Sequence, residues 1–389
     1  MSKKSSGPLS GLLVVDFTAF ESGPLSTMLM ADHGARIIKV EPPTGDAARA
    51  VGCSHATHPD LFEETVTDMF QQLNRGKESA VLNLKDPDDS ALAKKLVAKA
   101  DVVVENFRPG VMAKLGLSYD DVCASNPKVI YMSISGYGQF GEFSKNPAFD
   151  VVVQATSGFM SSTGIPGGQP TKAGCSLADA TSAIYAYSAA MTALYGREKT
   201  GKGCHIDIAM QDAMMMAQCD QLSTSFITGK PPGLAGNELA QMHPFGVFPC
   251  KDNTQLALCI GSPHQFAGMA AAIGHPEWAE DDRFKFPVPV ATTHREDFNA
   301  VFLPVLATKT AKEWKEIFDK AGLPVNILYD FIELEKSEFL QERKIVAEYK
   351  GMKVVGNPLK LNAYPDPADN LREAPTLGKQ TDAVRKEFT

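Results

Sequence analysis

Residues 12–41, LLVVDFTAFESGPLSTMLMADHGARIIKVE, decide the fold. Six of the first seven, all but Asp16, are apolar or β-branched and predict a buried strand. Gly23-Pro24 then opens a helix, where proline costs no hydrogen bond, and Gly34 ends it. Residues 36–41 (RIIKVE) supply the next strand. Strand, helix and strand within about thirty residues make a βαβ unit, which implies a parallel sheet.

The pattern recurs downstream. Residues 80–84 predict a strand, and 86–100 a helix with acidic residues at its start and lysine at its end. Residues 101–107 (DVVVENF) and 128–135 (KVIYMSIS) predict two further strands, and 150–160 a helix. The stretch 170–210 is PTKAGCSLADATSAIYAYSAAMTALYGREKTGKGCHIDIAM. It reads as a Gly/Ser-rich approach, a helix from about 180 to 195 full of Ala, Ser and Thr, a Gly/Lys turn and an alternating strand over 204–210. Small residues let other backbone approach, so this helix is expected to be buried. A Met-rich helix follows over about 211–228.

Asp179 stands where the loop becomes the central helix. A helix N-terminus carries free N–H groups and a partial positive charge. A carboxylate there is expected to stay ionised and to hold a fixed direction. The local pattern also fits a plain N-cap, and taken alone it favours that role.

The texture changes after Gly229. Residues 230–233 (KPPG) break the chain, 247–260 predict a hairpin turning at Asp252-Asn253, and 311–321 predict an amphipathic helix. The expected organisation is a large α/β domain over 1–228 and a smaller α+β domain over 229–325. A C-terminal segment, 326–389, with a helix near 330–349, a short strand and an irregular tail, is expected to return to the large domain or to a partner chain.

A chain of 389 residues is too long for one compact core. Its 44% apolar and 22% charged residues are those of an ordinary globular protein, and a net charge of -8 argues against general nucleic-acid binding. The seven cysteines are scattered without a C-x-x-C pair, the pattern of buried thiols in a reducing compartment. The opening MSKKSSGPLSG has no apolar core of a signal peptide, and no apolar run reaches the ~18 residues of a membrane span, so a cytoplasmic location without membrane partners is expected.

Three motifs mislead. Residues 136–141 (GYGQFG) match G-x-G-x-x-G after a strand, but the EFSKNPAFD that follows does not open a helix. Residues 196–203 (GREKTGKG) imitate a phosphate-binding loop, with Gly203 where Ser or Thr would hold magnesium, and read as a turn. The cluster Met214 to Met216 reads as packing. No H-E-x-x-H or G-x-S-x-G occurs, and no metal site is expected.

Taken together, several pieces resemble the family III CoA-transferases, the formyl-CoA and carnitine-CoA transferase type. They are VVDFT with Gly23-Pro24, HGARIIKVEPPTGDAAR, LNRGKESAVLNLK, DVVVENFRPGVMAKLGL, ISGYGQFG, NPAFD, KTGKGCHIDIAMQDA and APTLGKQTD, in the family's order. The resemblance implies an interlocked homodimer with a Rossmann-like large domain. It implies transfer of CoA from an acyl-CoA donor to a carboxylic acid acceptor, with Asp179 forming first an acyl anhydride and then an aspartyl-CoA thioester. Coenzyme A enters as substrate, and no permanent cofactor or metal is needed.

The resemblance also supplies CoA contacts. Phe20, Glu21 and Ser22 would offer backbone N–H groups to the thioester oxygen, and Asn74, Arg75, Gly76 and Lys77 a basic loop for phosphates. Asn106, Phe107, Arg108 and Lys114 would follow, with Ser135, Gly136, Tyr137 and Gly138. Glu21 stands where formyl-CoA transferases have Gln, Pro42 where they have Arg, and 236–246 replaces their glycine-rich lid. These departures speak against formate and oxalate as the substrate pair, and the loop at 19–24 looks more like members acting on larger carboxylates. Two alternatives share the fold. An α-methylacyl-CoA racemase would need a His where Phe149 stands, and a non-catalytic protein would bind acyl-CoA without turnover.

Overall fold

A computed structural model describes residues 7–239, 241–287 and 289–389. The opening residues 1–6, and Ala240 within 236–246, lie outside them.

The strands and helices alternate from the start. In chain order they are β1 (Leu13–Asp16), α1 (Ser22–Asp32), β2 (Arg36–Glu41), α2 (Asp68–Asn74), β3 (Glu78–Val81), α3 (Pro87–Lys99) and β4 (Val102–Glu105). Then come α4 (Val111–Lys114), α5 (Tyr119–Ser125), β5 (Ile130–Ser135), α6 (Asp150–Thr156), α7 (Phe159–Ser162), α8 (Leu177–Thr200), β6 (Cys204–Ala209), α9 (Met210–Met216) and α10 (Cys219–Thr228). Strands β1 to β6 form one sheet in the order β3-β2-β1-β4-β5-β6, and every pairing is parallel.

The sheet is covered on both faces. Successive side chains of a strand point to opposite sides, so Val15, Ile38, Val103 and Tyr131 pack with Leu92, Leu96 and Val97 of α3. Val14, Ile37, Val104 and Met132 face the other way, onto Met30 and Ala31 of α1 and Ala186, Ala190 and Leu194 of α8. The alanine positions of α8 let it lie close to its neighbours. It runs longer at both ends than the composition suggested, because the small-residue stretch continues into helix-forming REK and stops only at Gly201, whose φ of +69° favours glycine. The phosphate-loop imitation is therefore the last turn of a helix and its C-cap.

Connectivity runs outward from β1 to β3 and then restarts at β4 on the other side. The β1/β4 boundary is the switch point of the sheet, where ligands of open α/β folds bind beyond the strand C-termini.

The chain groups into two compact units. The first comprises Met1–Phe159, Lys172–Ile227 and Glu338–Thr389. In it α15 (Glu338–Glu342), the hairpin β10 (Val346–Tyr349) and β11 (Met352–Val355), and α16 (Thr381–Phe388) complete the structure, with Val384 and Phe388 of α16 in the core beneath the sheet. The second comprises Met160–Thr171 and Thr228–Ser337, built from β7 (Phe245–Pro249), β8 (Gln255–Cys259) and β9 (Val325–Ile327), antiparallel throughout. Helices α11 (Pro263–Ala272), α12 (Arg295–Leu306), α13 (Ala311–Lys320) and α14 (Phe331–Glu335) accompany them, and an aromatic core of Phe248, Phe266, Phe298, Phe302, Trp314 and Phe318 fills this unit.

Three expected elements differ: the helices expected over 150–160 and 211–228 are each broken in two, as α6 and α7 and as α9 and α10, and the third changes more. The single helix near 330–349 is two short helices and a strand, because Lys344 takes a φ of +49° and turns the chain into the β10–β11 hairpin.

Candidate active site

The C-terminal ends of β1 and β4 open into a cleft of about 560 Å³. Its walls carry Phe20, Glu21 and Ser22 after β1, Asn106, Phe107 and Arg108 after β4, and Ser135 and Gly136 after β5. Ile134, Phe149, Asp150, Lys172, Ser176, Asp179 and Met210 also line it.

The loop after β1 is held from several sides. Asn106 clasps Ala19, its Oδ1 accepting the Ala19 N–H at 2.9 Å and its Nδ2 donating to the Ala19 carbonyl at 2.8 Å. Asp46 Oδ1 accepts the Phe20 N–H at 3.1 Å. Phe20 has a φ of +63°, a left-handed conformation costly for an aromatic residue, and its ring meets Phe149 edge-on at 6.3 Å. Beneath the loop lies a buried ionic layer. Lys39 pairs with Asp46 at 2.9 Å and Lys77 with Asp16 at 3.0 Å, all four side chains being inaccessible or nearly so.

Asp179 sits in the first turn of α8, yet it is not the cap of that helix. The Ala178 N–H donates instead to Asp150 Oδ1 at 2.8 Å, from the start of α6. Ser176, at the N-cap position, makes no side-chain cap and hydrogen-bonds Glu21. Asp179 takes its hydrogen bonds from the backbone N–H and hydroxyl of Ser22, at the start of α1. Two helix N-termini thus meet at one carboxylate.

Those bonds do not keep it fully ionised at neutral pH. Burial, and then the neighbouring charges of Glu21 and Asp150, push the Asp179 carboxyl up to about 7. Burial, with Asp150 adding to it, also raises Glu21. The expectation of a permanently ionised carboxylate is corrected by this company of three acids. A carboxylate of raised basicity is a better nucleophile, available to the extent that it is deprotonated.

Asn74 to Lys77, Lys114, Tyr137 and Gly138, also singled out in the sequence, do not line the cleft. Arg75 is buried and holds Asp32 through two bonds of 3.1 and 2.8 Å, and also donates to the Val355 carbonyl at 3.0 Å. Lys77 donates to Asp16, to Asn74 Oδ1 at 2.8 Å and to the Pro24 carbonyl at 3.0 Å. Asn74 is buried with them, and the Gly76 N–H donates to the Glu373 carbonyl at 3.0 Å. In this conformation the 74–77 loop is a structural clamp, with neither cation free for a phosphate. The Phe20 and Ser22 N–H groups are likewise occupied, by Asp46 and Asp179. Lys114 is exposed at the end of α4, and Tyr137 lies against Phe143 at 6.2 Å. Gly138, with a φ of +81°, sets the turn in which the Gln139 N–H reaches Asp207 at 2.9 Å. Arg108, by contrast, is an exposed cation within the cleft wall.

Sequence reading missed Lys172, Ser176 and Met210 as cleft residues and took Asp150 and Phe149 only as parts of a motif. The available signal was that Glu21, Asp150 and Asp179 each stand where a helix begins. Among the described residues no group of three or more His, Cys, Asp or Glu side chains is arranged to hold a metal, and no helix is long and apolar enough to cross a membrane.

The model of CoA-transferase family III matches residues 9–381. An acetyl-CoA:oxalate CoA-transferase of Acetobacter aceti is 40% identical over 387 residues, covering 99% of this chain and 97% of that protein. A succinate–glutarate CoA-transferase of Agrobacterium fabrum is 40% identical over 278 residues, 71% of this chain and 69% of its own length. Among solved structures, a CAIB/BAIF family protein from Brucella suis has a TM-score of 0.85 at 28% identity, covering 99% of this chain and all of that one. A Mycobacterium tuberculosis protein has a TM-score of 0.86 at 28% identity, covering 98% of this chain and 99% of that one.

Proposed function

This chain belongs to CoA-transferase family III, and from that premise we propose that it moves CoA between carboxylic acids through covalent intermediates on Asp179. The observation that carries the reading is the placement of this carboxylate. It lies in the cleft at the switch point of the sheet, and Asp150 has taken over the capping of its helix.

The steps balance without metal or ATP. A carboxylate oxygen of Asp179 attacks the thioester carbonyl, the C–S bond breaks, and CoA leaves as thiolate while an anhydride forms. The thiolate then attacks the Asp179 carbonyl, releasing the donor acid and leaving an aspartyl-CoA thioester. The acceptor carboxylate attacks that carbonyl, and the thiolate finally takes the new acyl group and frees Asp179. In the two steps where the Asp179 carbonyl is attacked, its oxygen becomes an oxyanion. The Ser22 N–H and hydroxyl, already directed at this carboxyl group, stabilise that charge. Phe20, Phe149, Ile134 and Met210 give the cleft apolar surface that limits water, which would otherwise hydrolyse the intermediates.

The acceptor is a small dicarboxylic acid. The names of the Acetobacter and Agrobacterium relatives give oxalate, succinate and glutarate, and Arg108 and Lys172 supply cations on the cleft wall for a second carboxylate or a CoA phosphate. The working enzyme is a homodimer. Helix α10 has no buried residue, and Phe226 and Ile227 beside its end are 73% and 82% exposed, an apolar face suited to a second copy.

The test is transfer from acetyl-CoA to oxalate, followed by chromatography of the CoA esters. The wild-type protein forms oxalyl-CoA, and Asp179→Ala binds acetyl-CoA without transfer. Full activity in that variant would overturn the reading.

A further inference from the structure

Outside the cleft lining, a row of polar groups runs across β4, β5 and β6. Glu105, Ser133 and Asp207 are register partners along it, as are Tyr131 and His205. Glu105 is buried and accepts the Phe107 N–H at 2.9 Å. It also hydrogen-bonds the Ser133 hydroxyl, which lies 3.0 Å from His205 Nε2. The His205 ring stacks on Tyr119, centroids 5.1 Å apart, and its residue reaches the surface. None of these side chains lines the cleft, but Glu105 immediately precedes the 106–108 loop that does.

We propose that Glu105 is a positioning residue whose protonation state sets how firmly the 106–108 loop is held, and through it the affinity for acyl-CoA. This rests on the reading of the cleft as the acyl-CoA site. A hydroxyl has one proton to give, so the row has two orientations. With Glu105 ionised, His205 Nε2–H donates to Ser133, Ser133 donates to Glu105, and the Phe107 N–H makes a charge-assisted bond. With Glu105 protonated, Glu105 donates to Ser133, Ser133 donates to His205 Nε2, and the Phe107 bond drops to the strength of a neutral one. Loosening at Phe107 passes to Asn106, which clasps Ala19 next to Phe20.

The change falls in the working range. Burial, followed by the negative charge of Asp207 on β6, pushes Glu105 up to about 7 despite its bonds to Ser133 and Phe107. The other ionisable groups facing it are Tyr131 on β5, which burial and Glu105 itself keep protonated, and His205, which partial burial holds below its ordinary value. The cleft acids Glu21 and Asp179, both raised by burial, need a control.

The experiment is calorimetric titration with acetyl-CoA from about pH 6 to about pH 8.5, in the Asp179→Ala background so that neither turnover nor Asp179 contributes. Affinity is expected to rise with pH, about fivefold across the range, the difference between a charge-assisted and a neutral hydrogen bond. Adding Glu105→Gln, a permanently neutral acceptor for Phe107, should remove that rise and leave the low-pH affinity throughout. Ser133→Ala removes a charge-assisted bond from ionised Glu105 and only a weaker neutral one from the protonated form, so it should move the midpoint to higher pH, and it supports the proposal even if Glu105→Gln does not fold. An unchanged rise in Glu105→Gln, or an unmoved midpoint in Ser133→Ala, overturns the proposal. Transfer activity retained by Asp179→Ala would instead overturn the catalytic reading, leaving this pH response in place.

Discussion

Asp150 accepts the Ala178 N–H at 2.8 Å, one residue before the proposed nucleophile. Its other oxygen accepts Gln154 Nε2 at 2.7 Å, and Gln154 Oε1 accepts the Ala173 N–H at 2.8 Å. The loop entering α8 is therefore pinned by α6, and Asp179 is relieved of capping its own helix. The same contact brings a negative charge close enough to raise Asp179.

Replacing Asp150 by Asn separates the two effects. The amide oxygen still caps Ala178, at a cost of about 1 kcal/mol for the mismatch with Gln154, while the charge is gone. The ascending limb of kcat against pH, expected near 7 in the wild type from the raised Asp179 carboxyl, should move to lower pH. A steady-state profile with acetyl-CoA and oxalate measures it, and an unmoved limb would remove Asp150 from the electrostatics of Asp179.

Asp179 also links stability to pH. Its folded value of about 7 lies above the ordinary ~3.9 of an unfolded aspartate. The unfolded chain therefore releases this proton first, and stability is lost as pH rises from about 4 to about 7, by up to about 4 kcal/mol. Asp179→Asn avoids the loss. Thermal melts should find the variant more stable than wild type at about pH 8.5 and equal to it at about pH 4; equal midpoints at both would contradict the shift.

Lys77 and Arg108 should behave oppositely when replaced by Ala. Lys77 is fully buried against Asp16, and deleting one partner of a buried pair costs about 3–5 kcal/mol. Arg108 is exposed on the cleft wall. Lys77→Ala should lower the melting temperature markedly, whereas Arg108→Ala should leave it unchanged and raise the KM for acetyl-CoA by about tenfold, the loss of one ionic hydrogen bond. A large KM effect with unchanged melting in Lys77→Ala would return that lysine to the phosphates.

The parallel sheet was legible because each strand announces itself locally, in runs such as VVD, RIIKVE and DVVVE, separated by helical stretches. The third strand of the small sheet, β9, was not, since three residues carry no period. The helix read near 330–349 failed for the opposite reason. Its apolar spacing suits a helix, and only the left-handed turn at Lys344 and pairing with β11 override it. Around the site, a single residue was readable and its company was not. Asp179 stands at a visible loop-to-helix junction. Its neighbours Ser22 and Asp150 are distant in sequence, and only folding brings three helix starts together. The burial of Arg75 and Lys77 is equally long-range, because a basic residue in sequence carries no mark of whether a partner such as Asp32 or Asp16 will reach it.

The central claim is that Asp179 carries the acyl group. Incubation with acetyl-CoA followed by hydroxylamine, digestion and peptide mass spectrometry tests it directly. A hydroxamate on the side chain of Asp179, dependent on acetyl-CoA, is the predicted result. Steady turnover with Asp179 unmodified, or the hydroxamate on Glu21 or Asp150 instead, would contradict it.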